Sequence, residues 1–86
     1  MDSRTGVVAI VITQKNAVQS VQTVLTNYGE IIVGRMGVPN HQTGRNVIAL
    51  IVEGQVEKIS ALVGNLGRIS GVTAKSVLTP EGIKEN

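Results

Sequence analysis

Cysteine is missing from all 86 residues, and with it go disulfides, thiolate metal sites and cysteine nucleophiles. Aromatic residues are almost as scarce, with one Tyr and no Phe or Trp. The core must therefore be aliphatic, and no platform exists on which bases could stack, so nucleic acid is not an expected partner. His41 is the single histidine, too little nitrogen for a closed zinc or nickel site within one chain. No metal and no cofactor is expected. The acids Asp2, Glu30, Glu53, Glu57, Glu81 and Glu85 are dispersed, with no pair at catalytic spacing on one element. No histidine-plus-acid constellation stands ready to activate a Ser or Thr. The chain thus reads as a non-enzyme with no catalytic residue. No run reaches the ~20 apolar residues of a membrane span, and the N-terminal apolar run is too short for a signal peptide. The expected location is cytoplasmic, with no membrane partner. Eight basic and six acidic residues leave a net charge of +2, scattered without a block, which gives little support to a polyanion-binding face.

What is present is a pattern written twice. Val7-Val8-Ala9-Ile10-Val11-Ile12 opens the first half and Val47-Ile48-Ala49-Leu50-Ile51-Val52 the second. Six consecutive apolar residues leave no polar face, so both runs read as strands buried on both sides. After the first strand (6–13), Asn16 is placed as a helix N-cap with Gln19 three residues on. Ala17, Val21, Val24, Leu25 and Tyr28 follow at helical spacing, and Gly29 stands where a left-handed C-terminal residue is wanted. A second strand spans 30–38 and a polar loop spans 39–45. The third strand spans 46–53. Gly54 is read as the cap of a second helix with the stripe Val56, Ile59, Leu62, Val63 and Leu66, ended by Gly67. Gly64 lies inside that helix, its expected compensation being close approach to a neighbouring element. The fourth strand spans 72–78, and 79–86 is an exposed tail.

The order β-α-β-β-α-β, with two right-handed crossovers, gives an α+β, ferredoxin-like sandwich: a four-stranded antiparallel sheet with two helices on one face. The expected unit is a single domain, 1–86, with an ordered core of about 6–79. Strands one and three take the centre, read as a parallel pair. Strands two and four are the edges, with Arg35 and Lys75 as guards. The uncovered face would carry continuous aliphatic residues, so a homodimer or homotetramer is expected, with sheets face to face or joined at edges.

The loop after strand one, Thr13-Gln14-Lys15-Asn16, tests the known occupations of such a fold. It has neither the two cysteines of metal chaperones nor the phosphate-holding arginine of acylphosphatases. Gly34-Arg35-Met36-Gly37 is more suggestive. A strand glycine permits a bulge or close backbone approach, and Arg35 could fork onto a carboxylate or phosphate. Arg45 and Asn46, with His41 from the loop, would converge on it, because strands two and three are paired. The competing readings are an edge guard for Arg35 and solvated loop residues for His41 and Arg45. The candidate ligand site is therefore Arg35, Arg45, His41, Gly34 and Gly37, with Gly67-Arg68 and Gly71 as a second glycine-bracketed arginine, or simply a helix end and a turn.

Two segments carry a family likeness: Tyr28-Gly29-Glu30-Ile31-Ile32-Val33-Gly34-Arg35-Met36-Gly37-Val38-Pro39 and Ile59-Ser60-Ala61-Leu62-Val63-Gly64-Asn65-Leu66-Gly67-Arg68-Ile69-Ser70-Gly71-Val72. With the apolar first and third strands, they resemble the iron-only hydrogenase system regulators over 6–78. That family is similar to ACT-like domains and to the C-terminal domain of nickel-responsive regulators. The resemblance implies a stand-alone, non-enzymatic regulatory domain, with a small anionic ligand expected at a subunit interface. The alternative is a structural adaptor that holds a partner protein by its sheet edge or apolar face. Two departures stand out. The loop 13–16 lacks the glycine often found in amino-acid-binding ACT domains. The histidines and cysteine of nickel-responsive regulators, and their ribbon-helix-helix, have no counterpart, so neither nickel sensing of that type nor direct repression is expected.

Overall fold

A computed structural model describes residues 3–40 and 42–80. Strands β1 (Ser3–Ile12), β2 (Ile32–Asn40), β3 (Arg45–Gln55) and β4 (Val72–Leu78) form one sheet in the order β2-β3-β1-β4. Helix α1 (Val18–Asn27) links β1 to β2, and α2 (Val56–Gly67) links β3 to β4. The sheet is antiparallel throughout, including its central pair, where Val8 faces Leu50 and Ile12 faces Asn46. The parallel reading of strands one and three is thereby corrected. Each crossover keeps its own two strands parallel, but the hairpin between β2 and β3 reverses direction. Interleaving the two units then places opposite directions side by side.

Alternation along the two apolar runs builds the core. Val8, Ile10 and Ile12 of β1 and Ile48, Leu50 and Val52 of β3 are buried beneath the helices. Val21 and Leu25 of α1 and Ile59, Leu62 and Leu66 of α2 close over them. The intervening residues do not share that burial within one chain. Val7 and Val47 are each 43% exposed and Ile51 is 51% exposed. The runs are therefore continuous in sequence but two-sided in structure. Tyr28, the one aromatic, ties the helices together: its hydroxyl accepts a hydrogen bond from Asn65 Nδ2 at 2.7 Å, and Arg68 Nη1 donates to Asn65 Oδ1 at 3.1 Å.

Several helix boundaries differ from expectation. Asn16 is not an N-cap. It lies in a 3-10 turn, Lys15–Ala17, where the Ala17 N–H bonds to the Gln14 carbonyl at 3.0 Å, so α1 starts after Ala17 without a side-chain cap. Gly29 is not left-handed. The chain instead continues into a second 3-10 turn, Gly29–Ile31, which swings Ile31 into the core and delays β2 to Ile32. Gly54 stays in β3 against Ile31, and Gln55 takes the cap position of α2. Gly64 has no close neighbour: nothing lies within 4 Å of where its Cβ would stand. Of the predicted tail, 81–86 lies outside the described residues. Thr79 continues the β1 pairing through its N–H to the Thr5 carbonyl at 3.0 Å.

In the 3-10 turn before β2, Glu30 accepts a hydrogen bond from Lys58 of α2. The Lys58 ammonium, by hydrogen bond and by charge, holds the Glu30 carboxyl below its ordinary range. A carboxyl depressed by folding adds stability above its unfolded pKa and loses it as pH falls through the folded value. The pair is solvent-exposed, so the effect is small at neutral pH. Lys58→Met should return the Glu30 titration to the ordinary carboxylate range, as read by carboxyl NMR shifts. An unmoved titration would show that the pair does not persist in solution.

Candidate functional site

The antiparallel register brings the end of β1 next to the beginning of β3, so the turn leaving β1 meets the β2–β3 hairpin. Thr13 fixes the turn: its N–H and its hydroxyl both donate to the Gly71 carbonyl, at 2.8 and 3.1 Å. Gly71 is left-handed at φ 83°, and its missing side chain leaves the space that the stem of Gln14 fills. On the hairpin side, Pro39 and Asn40 remain paired with Asn46 and Arg45, so the connection is shorter than the predicted loop. The Asn40 carbonyl accepts from the Gly44 N–H at 2.9 Å, and its side-chain oxygen accepts from the Gln42 N–H at 3.1 Å and the Thr43 N–H at 3.4 Å. Gly44, at φ 72°, closes the turn.

Between these two turns lies a cleft of about 500 Å³, lined by Gln14, Lys15, Asn40 and Asn46 with Ile12 and Pro39 as its apolar floor. Among the described residues no carboxylate lines it. A second hollow of about 210 Å³ shares Ile12, Pro39 and Asn46 and runs on between α1 and β2 over Val18, Gly37 and Ile48. Together they form a groove with a cationic, amide-lined mouth and an aliphatic extension. Such a groove suits a small anion that carries an apolar tail.

The sequence-derived site is only partly assembled. Arg35 pairs with Leu50 in register and therefore stands on the helix side, where its Nη2 donates to Gln22 Oε1 of α1 at 2.7 Å. Gln22 and Gly37 line the aliphatic extension. Arg45 lies five positions before Leu50, about 17 Å along the strand, and alternation puts it on the opposite face. The expected convergence of Arg35 and Arg45 is thus absent within one chain. The strand glycine does mark a bulge: register shifts between Ile32 and Gly34, leaving Val33 unpaired, and Gly34 faces the open side opposite Ile51. His41 lies outside the described residues. Arg68 turns to Asn65, so Gly67-Arg68 is a helix end. Sequence reasoning placed Asn46 beside Arg45 but did not single out Gln14, Lys15 or Asn40 as site residues. The facing of Ile12 with Asn46 is the signal that joins them. Among the described residues no group of three His, Cys, Asp or Glu is placed to hold a metal ion.

An antiparallel sheet in the order β2-β3-β1-β4 with two helices on one face is a ferredoxin-like fold of the ACT-like kind. The chain belongs to the TM1266-like family, described as "Iron-only hydrogenase system regulator, putative", whose pattern matches residues 4–76. Among solved structures it is similar to the uncharacterized protein TM1266 from Thermotoga maritima, at 33% identity and TM-score 0.85, covering 90% of this chain and 98% of that one. The ACT domain of GTP pyrophosphokinase from Chlorobium tepidum matches at 16% identity and TM-score 0.70, over 90% of this chain and 100% of that one. The C-terminal domain of the MgtC protein from Mycobacterium tuberculosis matches at 13% identity and TM-score 0.70, over 95% and 94%. The last two likenesses show the fold alone. No curated protein matches the chain. No helix among the described residues is long and apolar enough to cross a membrane.

Proposed function

We propose that this chain is a non-enzymatic regulatory domain of an iron-only hydrogenase system and that it senses a small anion with an aliphatic portion. The observation that carries the reading is the groove at the β1 turn. Lys15 and the amides of Gln14, Asn40 and Asn46 supply donors at its mouth, no described carboxylate opposes them, and Ile12, Pro39 and Val18 supply apolar contact beyond. Donors without acceptor-only neighbours favour a carboxylate or phosphate over a cation. Family membership supplies the regulatory context. Gly37 belongs to this proposal as part of the wall of the aliphatic extension, and Arg35 through its bond to Gln22, which lines that wall. Arg45 and Gly34 stand on the open face and enter only as contacts across a subunit interface.

Thermal denaturation against a panel of small aliphatic carboxylates and phosphate esters tests the reading. A ligand at 100 times its dissociation constant stabilises by about 2.7 kcal/mol, which is about 10–20 °C for a domain of this size. Lys15→Gln, at an exposed position, should keep the unliganded melting temperature and remove most of that shift. A shift that survives both Lys15→Gln and Asn46→Ala would move the site elsewhere. If no member of the panel gives a shift and a pull-down recovers a protein partner, the adaptor reading takes its place.

A further inference from the structure

The sheet face turned away from the helices is an ordered aliphatic grid. Register places Gly34, Ile51, Val7 and Val77 in one row across the four strands. Met36, Ala49, Ala9 and Lys75 form the next, and Val38, Val47, Val11 and Thr73 the third. Met36 is 66% and Val77 75% exposed. Lys75 is the one ionisable residue in these rows; Arg45 and Glu53 lie outside them, at opposite ends of β3. A face with this little charge selects a partner that is itself flat and aliphatic. Strand spacing and rise give it a footprint of about 20 by 20 Å. Two such footprints, roughened by side chains, approach the ~1,000 Å² of a specific interface.

We propose that this face is covered by the same face of a second copy, in a β-sandwich whose two-fold axis runs along the strands. That axis lays β1 of one copy over β3 of the other and β4 over β2. The central alanines, Ala9 and Ala49, then meet where the sheets need to come closest. Val77, the most exposed of the face, meets Gly34, which has no side chain. Lys75 runs its stem along Met36 and keeps its ammonium at the rim. An axis across the strands would instead set Lys75 on Lys75 at the covered face. Its compensation, Arg45 over Glu53 at the wet ends, is of the kind that contributes little. The interface shares Val38 and Val47 with the lining of the groove's aliphatic extension, but its test needs no ligand.

The absence of cysteine makes the test clean. Met36→Cys and Lys75→Cys are prepared separately, both at exposed positions, then mixed, co-refolded and treated with a bismaleimide whose reach matches the ~10 Å spacing of packed sheets. The expected result is a cross-linked dimer from the mixture and none from either variant alone, with unmodified protein at twice the 9.0 kDa chain mass by light scattering. Ile51→Asp should keep its helical circular dichroism and fall to the monomer mass. Self-cross-linking of either single variant would overturn the two-fold. A wild-type monomer at micromolar concentration, a dimer that yields no cross-link from the mixture, or an Ile51→Asp protein that stays dimeric would overturn the interface.

Discussion

Leu50→Ala should lower the unfolding free energy by about 2–5 kcal/mol, the range for truncating a fully buried leucine. Leu50 is 0% exposed and sits on the central strand, facing Val8 on one side and Arg35 on the other. Its environment is held by the sheet below and by two helices above, so the vacated space cannot collapse without moving several elements at once. A small domain holds about 5–15 kcal/mol in total. The variant therefore gives up a large share and should melt well below the parent, by about 4–8 °C per kcal/mol. Chemical denaturation measures the loss directly. A change under 1 kcal/mol would mean that the space beneath the helices is not packed as described.

The second large effect comes from the smallest residue. A Cβ on Gly6 would stand 2.3 Å from the Val77 carbonyl oxygen and 2.4 Å from Leu78 Cδ2. The leucine tip can turn away, but the carbonyl belongs to the β1–β4 ladder and cannot move without opening it. Arg4 Nη1, which donates to the carbonyls of Thr79 and Pro80 at 3.0 and 3.1 Å, clasps the same end of the sheet and would be displaced with it. Gly6→Ala should destabilise by about 1–3 kcal/mol, as overpacking does. Amide exchange should show the loss concentrated in the last residues of β4. Gly29→Ala is the control, since nothing lies within 4 Å of its Cβ position and it stands away from the open face. Equal effects from the two glycines would remove the steric explanation.

The sequence made the element order plain because each helix carries its apolar residues on one stripe between polar breaks. Ala17, Val21 and Leu25, and likewise Ile59, Leu62 and Leu66, are buried as their spacing requires. The six-residue runs were legible as central strands but not as to side. With Val, Ile, Leu and Ala at every position, nothing in the run says which alternate set faces the helices. The candidate site suffered from the direction of one pairing. Read as parallel, β1 and β3 would align their beginnings, and the residues after Ile12 would lie far from the hairpin. Antiparallel pairing sets Ile12 opposite Asn46, and only then do Lys15, Asn40 and Asn46 share a cleft. Arg35 and Arg45 drew attention by charge and by nearness to glycine. Their separation is a matter of parity and count along two strands, which composition cannot convey. The helix caps failed more locally: backbone 3-10 bonds at Ala17 and Ile31 took the places expected of the Asn16 side chain and of a left-handed Gly29.

Val38 and Pro39 are consecutive in β2, and Val47 and Asn46 are consecutive in β3. Val38 and Val47 stand on the open face and also line the aliphatic extension of the groove, while Pro39 and Asn46 line both of its hollows. The hairpin arm is thus shared between the surface proposed for a second copy and the groove proposed for a small molecule. Whatever displaces the arm from one side displaces the wall of the other. Thermodynamic linkage makes that traffic reciprocal: if assembly changes affinity for the small molecule by some factor, the small molecule changes the association constant by the same factor. Protein concentration would then act as an input of its own, and the domain would report abundance of its own chain and of its ligand through a single readout.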